Sequence, residues 1–398
     1  MPSSPHQARA DLIIVGAGLA GAAAARSAAA RGADVVVLEQ FGPGHRNGSS
    51  HGSARIFRRA YPDPLYVRLT GQAGEQWRAL AAAAGEPLLT MTGGIDFGAV
   101  RDPAGLHAVL TACGVPAELL PAGEAARRWP QFDFTGTGPV LFHQNAGVLD
   151  PDRAIAALLR LATAGGADVR FGTQVTGLAA GGDGALVQAG DESFTAPAVV
   201  VAAGAWVAPL LGGVIGLPPL TVTSQQVFHF APAKQEAQPA TQPAAEPWPV
   251  FIAADETDFC YGLPGGRDGG VPGAIKVGEH HPGPVTTAAG RDFRIGEAVR
   301  ARVAGFARRR VPGLDPAPLN EATCLYTWTA NEDFILDRRG PFVVASPCSG
   351  HGAKFAPLLG EFIADLAAGK PSPDPRFTLA AHLAGRAGQL PTPGGSTG

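Results

Sequence analysis

Three glycines near the N-terminus have the spacing of a phosphate-binding turn. Gly16, Gly18 and Gly21 form the pattern Gly-x-Gly-x-x-Gly, and the acidic residue Glu39 follows at the separation that a dinucleotide site needs. The glycines permit a tight turn, a close approach of the backbone to a pyrophosphate and close packing of a helix on a strand. Glu39 would accept hydrogen bonds from a ribose. FAD and NAD share this pattern, so it predicts a bound dinucleotide without choosing between them.

The segments around these glycines predict the strand–helix–strand unit that such a site requires. A strand over Leu12–Val15 precedes the turn, an Ala-rich helix runs from the turn to about Ala30, and a second strand covers Val35–Glu39. The positive end of the helix would face the phosphates. A later apolar run, Ala198–Trp206, fits either a strand beside a dinucleotide or an ordinary buried parallel strand.

The composition predicts a globular protein that binds neither nucleic acid nor membrane. The 398 residues are 45% hydrophobic and 16% charged, with a net charge of −3, so no basic surface for nucleic acid is indicated. The uncharged segment 196–220 has a membrane-spanning length, but prolines and glycines interrupt it. No apolar signal segment is found at the N-terminus, and a cytoplasmic location is the expectation.

The four cysteines argue against a disulfide framework or a zinc site. They lie far apart in the sequence, without a Cys-x-x-Cys pair and without histidines at metal-ligand spacing: Cys113, Cys260, Cys324 and Cys348. No metal is expected. Cys324 lies among polar and aromatic residues, and its own role is therefore a separate question.

The remaining pattern predicts further helices, a strand-rich middle and two segments without a core. Helices are expected from about Tyr66 to Gly85 and from about Gly290 to Arg310, and short strands from Val222 to about Gly278. The Pro/Ala/Gln-rich segment Ala231–Pro247 cannot bury a core, so we predict a mobile surface insert there. Residues 386–398 are predicted to form a flexible tail.

Four further stretches follow the glycine pattern in a fixed order. They are "SSHGSARIFRRAY", "AIKVGEHH", "CLYTWTANEDFILD" and "CSGHGAKFAP", which begin at Ser49, Ala274, Cys324 and Cys348. In this order they resemble the monomeric sarcosine oxidase family, which includes N-methyltryptophan oxidase and pipecolate oxidase and belongs to the D-amino-acid-oxidase-like flavoproteins. The resemblance extends from about residue 11 to residue 379.

This resemblance implies an α/β protein with a Rossmann-type FAD-binding domain and a second, mixed-sheet substrate domain. Both domains would be discontinuous in sequence. The FAD-binding domain would comprise residues 1–80, 145–215 and 325–385. The substrate domain would comprise residues 81–144 and 216–324.

The resemblance also implies that FAD is the dinucleotide and that Cys324 holds it covalently. Cys324 has the "CxYTxT" context of the family's flavin-linked cysteine. Such a link needs a thiolate near the 8α carbon of the flavin ring. An ordinary core cysteine on a strand is the alternative interpretation. The resemblance places further cofactor contacts at Gly16, Gly18, Gly21, Glu39, Ser50, His51, Gly350, His351, Gly352 and Lys354.

Three residues are implied to act in catalysis. Lys276 matches the lysine that faces the flavin and activates dioxygen, because a fixed cation stabilises the charge of developing superoxide. Arg55 matches an arginine beside the flavin, and His280 a histidine at the edge of the same site. A lone lysine is otherwise most often a solvated surface group, so this role rests on the motif.

A second group is implied to bind the substrate. Arg58 and Lys354 would hold a carboxylate, since the guanidinium offers two parallel donors and the lysine adds a point charge. Without the motif, Arg55, Arg58 and Arg59 would be interpreted as an exposed basic cluster. Tyr261 and Tyr326 match aromatic pocket residues, and a half-buried position in a sheet is the alternative for both.

The implied function is that of an FAD-dependent oxidase of a secondary amine, either an N-methyl or a cyclic amino acid. A hydride would pass to flavin N5, dioxygen would be reduced to hydrogen peroxide, and the imine product would hydrolyse. Alternatives are a dehydrogenase of the same fold that uses an electron carrier, an amine oxidase of secondary metabolism and a flavin-binding protein without catalysis. Trp328 and the insert leave the substrate open, and a monomer is typical of the family.

Overall fold

The computed structural model describes residues 7–182, 184–233, 247–281 and 283–385. The predicted tail at 386–398 and residues 234–246 of the predicted insert therefore lie outside the described residues. The described residues form nine α-helices: α1 Leu19–Ala29, α2 Pro64–Ala84, α3 Pro103–Ala112, α4 Ala122–Arg128, α5 Pro151–Ala164, α6 Val207–Leu211, α7 Glu297–Arg310, α8 Ala356–Ala367 and α9 Leu379–Ala384.

They also form 22 β-strands. The first eleven are β1 Gln7–Arg9, β2 Leu12–Val15, β3 Val35–Leu38, β4 Arg55–Phe57, β5 Leu89–Met91, β6 Gly94–Phe97, β7 Glu118–Leu120, β8 Val140–His143, β9 Gly147–Leu149, β10 Asp168–Arg170 and β11 Gly177–Gly181. The others are β12 Gly184–Ala189, β13 Glu192–Ala196, β14 Ala198–Val201, β15 Thr221–Pro232, β16 Val250–Ala254, β17 Phe259–Pro264, β18 Ile275–Glu279, β19 Val285–Thr286, β20 Leu314–Trp328, β21 Ile335–Arg339 and β22 Phe342–Ser346.

A six-stranded sheet contains the glycine turn. Its strand order is β10-β3-β2-β14-β22-β21, and all neighbours are parallel except the β21–β22 pair. Ile14 and Val37 pack on the face that α1 and α8 cover, whereas Ile13 and Val36 point to the opposite apolar cluster. Because both faces are buried, these strands have almost continuous apolar sequences. The glycine turn lies between β2 and α1, at the carboxyl edge of this sheet, where ligands of such sheets bind.

A nine-stranded mixed sheet forms the second layer. Its order is β19-β15-β18-β17-β16-β6-β8-β7, and β20 pairs with β15. Only β16 and β6 are parallel neighbours. On one face, Phe228, Phe251 and Val277 pack against Phe306 of α7 in a buried apolar cluster. The opposite face is therefore left for other partners, since successive side chains of a strand point to opposite sides.

Two smaller sheets complete the described structure. A four-stranded sheet has the order β1-β13-β12-β11, and a three-stranded sheet has the order β4-β9-β5. No helix among the described residues is both long enough and apolar enough to cross a membrane. The domain boundaries remain a prediction.

Local structure agrees with most of the predicted elements and corrects two. The helix from about Tyr66 to Gly85 is confirmed as α2, which Asp63 caps by accepting a hydrogen bond from Leu65 N at 2.8 Å. The expected helix start near Gly290 is wrong, because α7 begins only at Glu297. Phe293 in this stretch has a φ of 60°, which no α-helix accommodates. The short strands predicted between Val222 and about Gly278 are confirmed as β16, β17 and β18. The predicted start of the insert at Ala231 is wrong, because β15 continues to Pro232.

Candidate active site

A cavity of about 1300 Å³ lies between the N-terminus of α1 and the free face of the nine-stranded sheet. Its wall includes Gly18 and Leu19 at the helix start. The wall also includes side chains of the sheet, which alternate along their strands with the buried apolar side chains of the other face. Lys276 of β18 lines the cavity, while its neighbours Ile275 and Val277 belong to the core on the other face. The volume exceeds the usual range of about 300–1,000 Å³ for small-ligand pockets, so it has room for a dinucleotide and a small substrate.

Most of the residues predicted from the sequence lie in the wall of this one cavity. They are Gly18, Ser50, His51, Arg55, Arg58, Tyr261, Lys276, His280, Cys324, Tyr326, Gly350, His351, Gly352 and Lys354. Gly16, Gly21 and Glu39 are not in the wall: Gly16 lies in the turn, Gly21 in α1 and Glu39 directly after β3. Because these positions come from distant parts of the sequence, the fold is what brings them together.

The glycine turn has the shape that a pyrophosphate needs. Gly16 has a φ of 99°, and a Cβ there would lie 2.7 Å from Ala202 O. A Cβ on Gly21 would lie 1.9 Å from Gly16 O, so neither position tolerates a side chain. Gly18 is the N-cap of α1, with no capping side chain and no acidic residue in the first turn. No side chain of the first turn therefore offsets the positive helix end, which faces the cavity, and the residues fit a bound dinucleotide.

Glu39 stabilises this turn directly. One carboxylate oxygen accepts a hydrogen bond from Ala17 N at 2.8 Å, and the other accepts one from Phe41 N at 3.0 Å. The side chain is buried and lies 3.5 Å from His45 Nε2. A carboxylate oxygen accepts more than one hydrogen bond, so these contacts leave capacity for a ribose. The ribose contact stays a prediction.

Residues 46–54, here called the 46–54 loop, cross the cavity wall and are held at their backbone amides. Gly52 N donates to an oxygen of Asp152 at 2.9 Å, and Ser53 N donates to Asp268 Oδ2 at 2.6 Å. Leu19 N at the start of α1 donates to Ser50 Oγ at 3.2 Å. The loop thus joins α1, α5 and the segment after β17.

Cations hold the carbonyl groups of the same loop. Arg55 Nη2 donates to the carbonyls of His51 at 2.8 Å and Ser49 at 3.2 Å, and Lys276 Nζ donates to Ala54 O at 3.2 Å. Arg291 Nη1 donates to the carbonyls of three successive residues, 46, 47 and 48. The loop conformation therefore depends on three basic side chains from separate elements.

Cys324 lies where this loop meets β20. Its Sγ is 3.8 Å from Arg55 Nη2 and 3.6 Å from Ser49 O, and Ser49 Oγ donates to Leu325 O at 2.6 Å. All four cysteines are free thiols, and Cys324 is buried but faces the cavity.

Four basic side chains, two of them buried lysines and two half-buried arginines, line the cavity without a carboxylate partner. None of Arg55, Arg58, Lys276 and Lys354 forms an ion pair with any acidic side chain of the described residues. Lys354 Nζ donates to His351 O at 2.7 Å, and Arg58 donates to Ala60 O. Buried charge without a counter-charge is unfavourable. The cavity is therefore electrostatically prepared for anionic ligands.

Burial shifts the titration of these groups. Burial, followed by the charge of Arg55, lowers the pKa of Lys276 to about 7. Burial and then Arg58 lower the pKa of Lys354 well below its usual value. For the same two reasons the pKa of His280 falls to about 4, so this imidazole is neutral at pH 7.

Aromatic side chains enclose the part of the cavity near His280. The indole of Trp328 lies 5.3 Å from the Tyr326 ring and 5.8 Å from the His280 ring, between ring centroids. Trp328 Nε1 donates to Thr223 Oγ1 at 2.7 Å, which fixes the indole on the sheet. Tyr261 interacts with Tyr326 and is buried deeply enough that its pKa is raised.

The turn before α8 brings Lys354 to the cavity. Gly350 has a φ of 75°, and a Cβ there would lie 2.5 Å from the Tyr326 ring. His351 is fixed on both ring nitrogens, with Nδ1 3.2 Å from Tyr61 Oη and Nε2 3.0 Å from Glu332 O. The imidazole thus supports the turn, and a direct contact of His351 with a cofactor stays a prediction.

Sequence reasoning missed the residues that hold the 46–54 loop. Asp152, Asp268 and Arg291 belong to no motif and lie far along the chain from the loop. Asp152 follows the N-cap of α5, and only the fold brings it to Gly52. No local sequence signal identifies such contacts.

The comparisons with known proteins concern nearly the whole chain. The family model described as FAD dependent oxidoreductase matches residues 11–366. A monomeric sarcosine oxidase of Streptomyces avermitilis is 35% identical over 365 residues, which cover 90% of this chain and 93% of that protein. An N-methyl-L-tryptophan oxidase of Yersinia pestis is 32% identical over 373 residues, which cover 91% and 96%.

Solved structures of other proteins have the same fold as this chain. NikD, an unusual amino acid oxidase essential for nikkomycin biosynthesis, superposes in its open form with a TM-score of 0.79 at 26% identity, covering 93% of this chain and 96% of that one. The L-proline dehydrogenase from P. horikoshii gives a TM-score of 0.81 at 20% identity over 97% of this chain and 100% of that one, a likeness of fold alone. The predicted fold class is confirmed.

The lowered pKa of Lys276 predicts a specific pH dependence of stability. The folded chain binds this proton more weakly than the unfolded chain, so protonation of Lys276 disfavours folding. The penalty is full below a pH of about 7 and disappears as the pH rises towards the ordinary value of 10.5. The free energy of unfolding of the wild type, relative to Lys276→Met, should therefore rise between about pH 7 and 10.

Urea unfolding of both proteins at several pH values measures this difference. Lys370→Met is the matched control, because the Lys370 side chain is 62% exposed. A wild-type-minus-mutant difference that is flat or falling with pH would contradict the burial argument.

Proposed function

This chain belongs to the FAD dependent oxidoreductase family, and on that basis we propose that it oxidises a secondary amine carried by an N-methyl or cyclic amino acid. The predicted resemblance and the enzyme class, an FAD-dependent amine oxidase of the sarcosine oxidase type, are confirmed. The observation that carries the finer proposal is the set of four basic side chains, two buried lysines and two half-buried arginines, that line one cavity without carboxylate partners among the described residues.

The glycine turn and the adjoining loop would hold the FAD. Gly16, Gly18 and Gly21 leave space for the pyrophosphate at the N-terminus of α1. Further contacts are proposed for Glu39, Ser50, His51, Gly350, His351, Gly352 and Lys354. The support for these positions is that most of them line the cavity and that none of the glycines tolerates a side chain without a close contact.

Cys324 would attach the FAD covalently, through a bond from Sγ to the 8α carbon of the ring. Its Sγ lies 3.8 Å from Arg55 Nη2, at the place where the 46–54 loop meets β20. The alternative is an ordinary buried cysteine. The position of Cys324 on the cavity face of β20 supports the covalent role.

Arg58 and Lys354 would bind the substrate carboxylate. Both line the cavity, Lys354 buried and Arg58 half-buried, and neither has an acidic partner among the described residues, so a carboxylate would relieve their electrostatic strain. The nearby ring of His280 is neutral and adds no further positive charge to this anion site. Fixing the carboxylate orients the amine-bearing carbon, which is the main contribution of such a site. The aromatic wall of Tyr261, Tyr326 and Trp328 would enclose the rest of the molecule.

Lys276 would serve the oxidative half of the reaction. When bound, FAD would supply the redox chemistry, namely oxidation of the carbon beside the amine by hydride transfer and reduction of dioxygen to hydrogen peroxide, and the imine product would hydrolyse in water. The cation of Lys276 would stabilise negative charge that develops on oxygen. Its hydrogen bond to Ala54 O fixes the ammonium group in the cavity wall. We also propose that the chain acts as a monomer.

Removal of the Arg58 guanidinium should weaken substrate binding selectively. We expect Arg58→Ala to raise KM for a carboxylate substrate by roughly 10- to 100-fold, the loss expected for charge-assisted hydrogen bonds. Steady-state kinetics should compare N-methyl amino acids with their carboxamides, because the variant should lose its preference for the carboxylate. Arg59→Ala is the control, since Arg59 lies outside the cavity wall and donates to Val67 O. An unchanged preference would refute the carboxylate site.

The variant Lys276→Met tests whether the protein is an oxidase or a dehydrogenase of the same fold. We expect reoxidation of the reduced enzyme by dioxygen to slow by about 100-fold or more, while anaerobic reduction by substrate changes much less. Stopped-flow absorbance of the flavin measures the two half-reactions separately. Equal rates of reoxidation in the variant and the wild type would contradict the role of Lys276. Slow reoxidation in the wild type with fast reaction towards an artificial acceptor would favour the dehydrogenase.

A further inference from the structure

Arg291 is a buried arginine that the proposed reaction does not use. It is 8% exposed and lies in the segment before α7, outside the cavity wall. Its guanidinium forms no ion pair with a carboxylate in the part of the chain that the structure describes. All its hydrogen bonds go instead to carbonyl groups and one hydroxyl group.

These hydrogen bonds join two separate segments. Nη1 donates to the carbonyls of Arg46 at 2.7 Å, Asn47 at 3.0 Å and Gly48 at 3.3 Å. Nη2 donates to Thr323 Oγ1 at 2.8 Å and also to Thr323 O. One planar guanidinium therefore ties the start of the 46–54 loop to β20.

The joined segments meet at three consecutive residues of β20. Thr323 is held by Arg291, and Cys324 Sγ lies next to Arg55 Nη2 at 3.8 Å. Leu325 O accepts a hydrogen bond from Ser49 Oγ of the loop at 2.6 Å. The thiol therefore lies between two anchors, one on each side of it along the strand. Arg291 provides the anchor on the N-terminal side.

We propose that Arg291 is a positioning residue for covalent attachment of FAD at Cys324. It holds the loop against Thr323 so that the thiol keeps its place beside Arg55 and the cavity. This inference rests on the proposed covalent link. In that link Cys324 gives up its thiol proton and forms the S–C8α bond, and the 8-methyl group loses one hydrogen. Two electrons and both hydrogens remain on the ring until dioxygen removes them as hydrogen peroxide.

The geometry of Arg291 makes lysine a poor replacement. A guanidinium presents its donors in a rigid plane and reaches both segments at once, whereas an ammonium group is a single point of donation. Arg291 contacts neither the thiol nor the cavity, so its effect should fall on attachment and not on reversible FAD binding. Thr323 Oγ1 is the acceptor that can be removed while Arg291 is kept.

The experiment compares four variants with the wild type: Arg291→Ala, Arg291→Lys, Thr323→Val and the double variant Arg291→Ala/Thr323→Val. Each full-length protein is produced under flavin limitation and then incubated with FAD. Total FAD is measured on the native protein, and covalent FAD is measured by the absorbance and mass of the denatured chain over time. Arg300→Ala is the matched control, because Arg300 binds Glu321 of the same strand by two hydrogen bonds.

We expect Arg291→Ala to slow covalent attachment by about tenfold or more while total FAD stays near the wild-type level. Arg291→Lys should be slowed nearly as much, and Thr323→Val less. The double variant should attach FAD no more slowly than Arg291→Ala, because Thr323→Val removes a contact that Arg291→Ala has already removed. Arg300→Ala should attach FAD at the wild-type rate.

Three results would overturn the inference. Attachment at the wild-type rate in Arg291→Lys and Thr323→Val would do so, even if Arg291→Ala fails to fold. A loss of total FAD in proportion to covalent FAD would indicate a structural role only. A wild type without covalent FAD would refute the Cys324 link itself, and the inference with it. This result differs from a failure of the Arg291 role alone, in which the wild type still carries covalent FAD.

Discussion

The site depends on the fixed position of the 46–54 loop. This loop is polar and rich in glycine and serine, and Ala54 is its only apolar side chain, so apolar burial contributes little to its conformation. Its conformation is held instead by charged groups, with carboxylates on its amides and cations on its carbonyls. The same basic side chains form the cavity or support it. Loop order and site chemistry therefore share one set of contacts.

This arrangement explains why several basic side chains converge on one cavity. Arg55 and Lys276 bind loop carbonyls and still present charge to the cavity. Carbonyl oxygens satisfy hydrogen-bond donors but do not neutralise their charge. The remaining positive field lowers the pKa of Lys276 and keeps His280 neutral, after burial itself. An anionic ligand would complete the electrostatics of the cavity.

The sequence predicted those parts that depend on neighbouring residues. Strand β2, the glycine turn and α1 follow from local pattern, because each glycine has a backbone reason within the unit. The resemblance supplied the site positions Arg58, Lys276 and Lys354, which the fold brings to one cavity. Contacts such as Arg291 with Gly48 escaped prediction, since they join segments 243 residues apart. The misplaced start of α7 has a related cause: residues 291–294 leave helical geometry, and Arg291 is buried against the 46–54 loop.

The most direct test of this account concerns the fate of FAD when the protein unfolds. The wild type and Cys324→Ser should be denatured, separated from small molecules and examined by absorbance and intact mass. The account predicts that the wild-type chain stays yellow and carries the mass of one FAD, whereas Cys324→Ser releases its flavin. Release of the flavin from the wild type would contradict the account and leave Cys324 as an ordinary core residue.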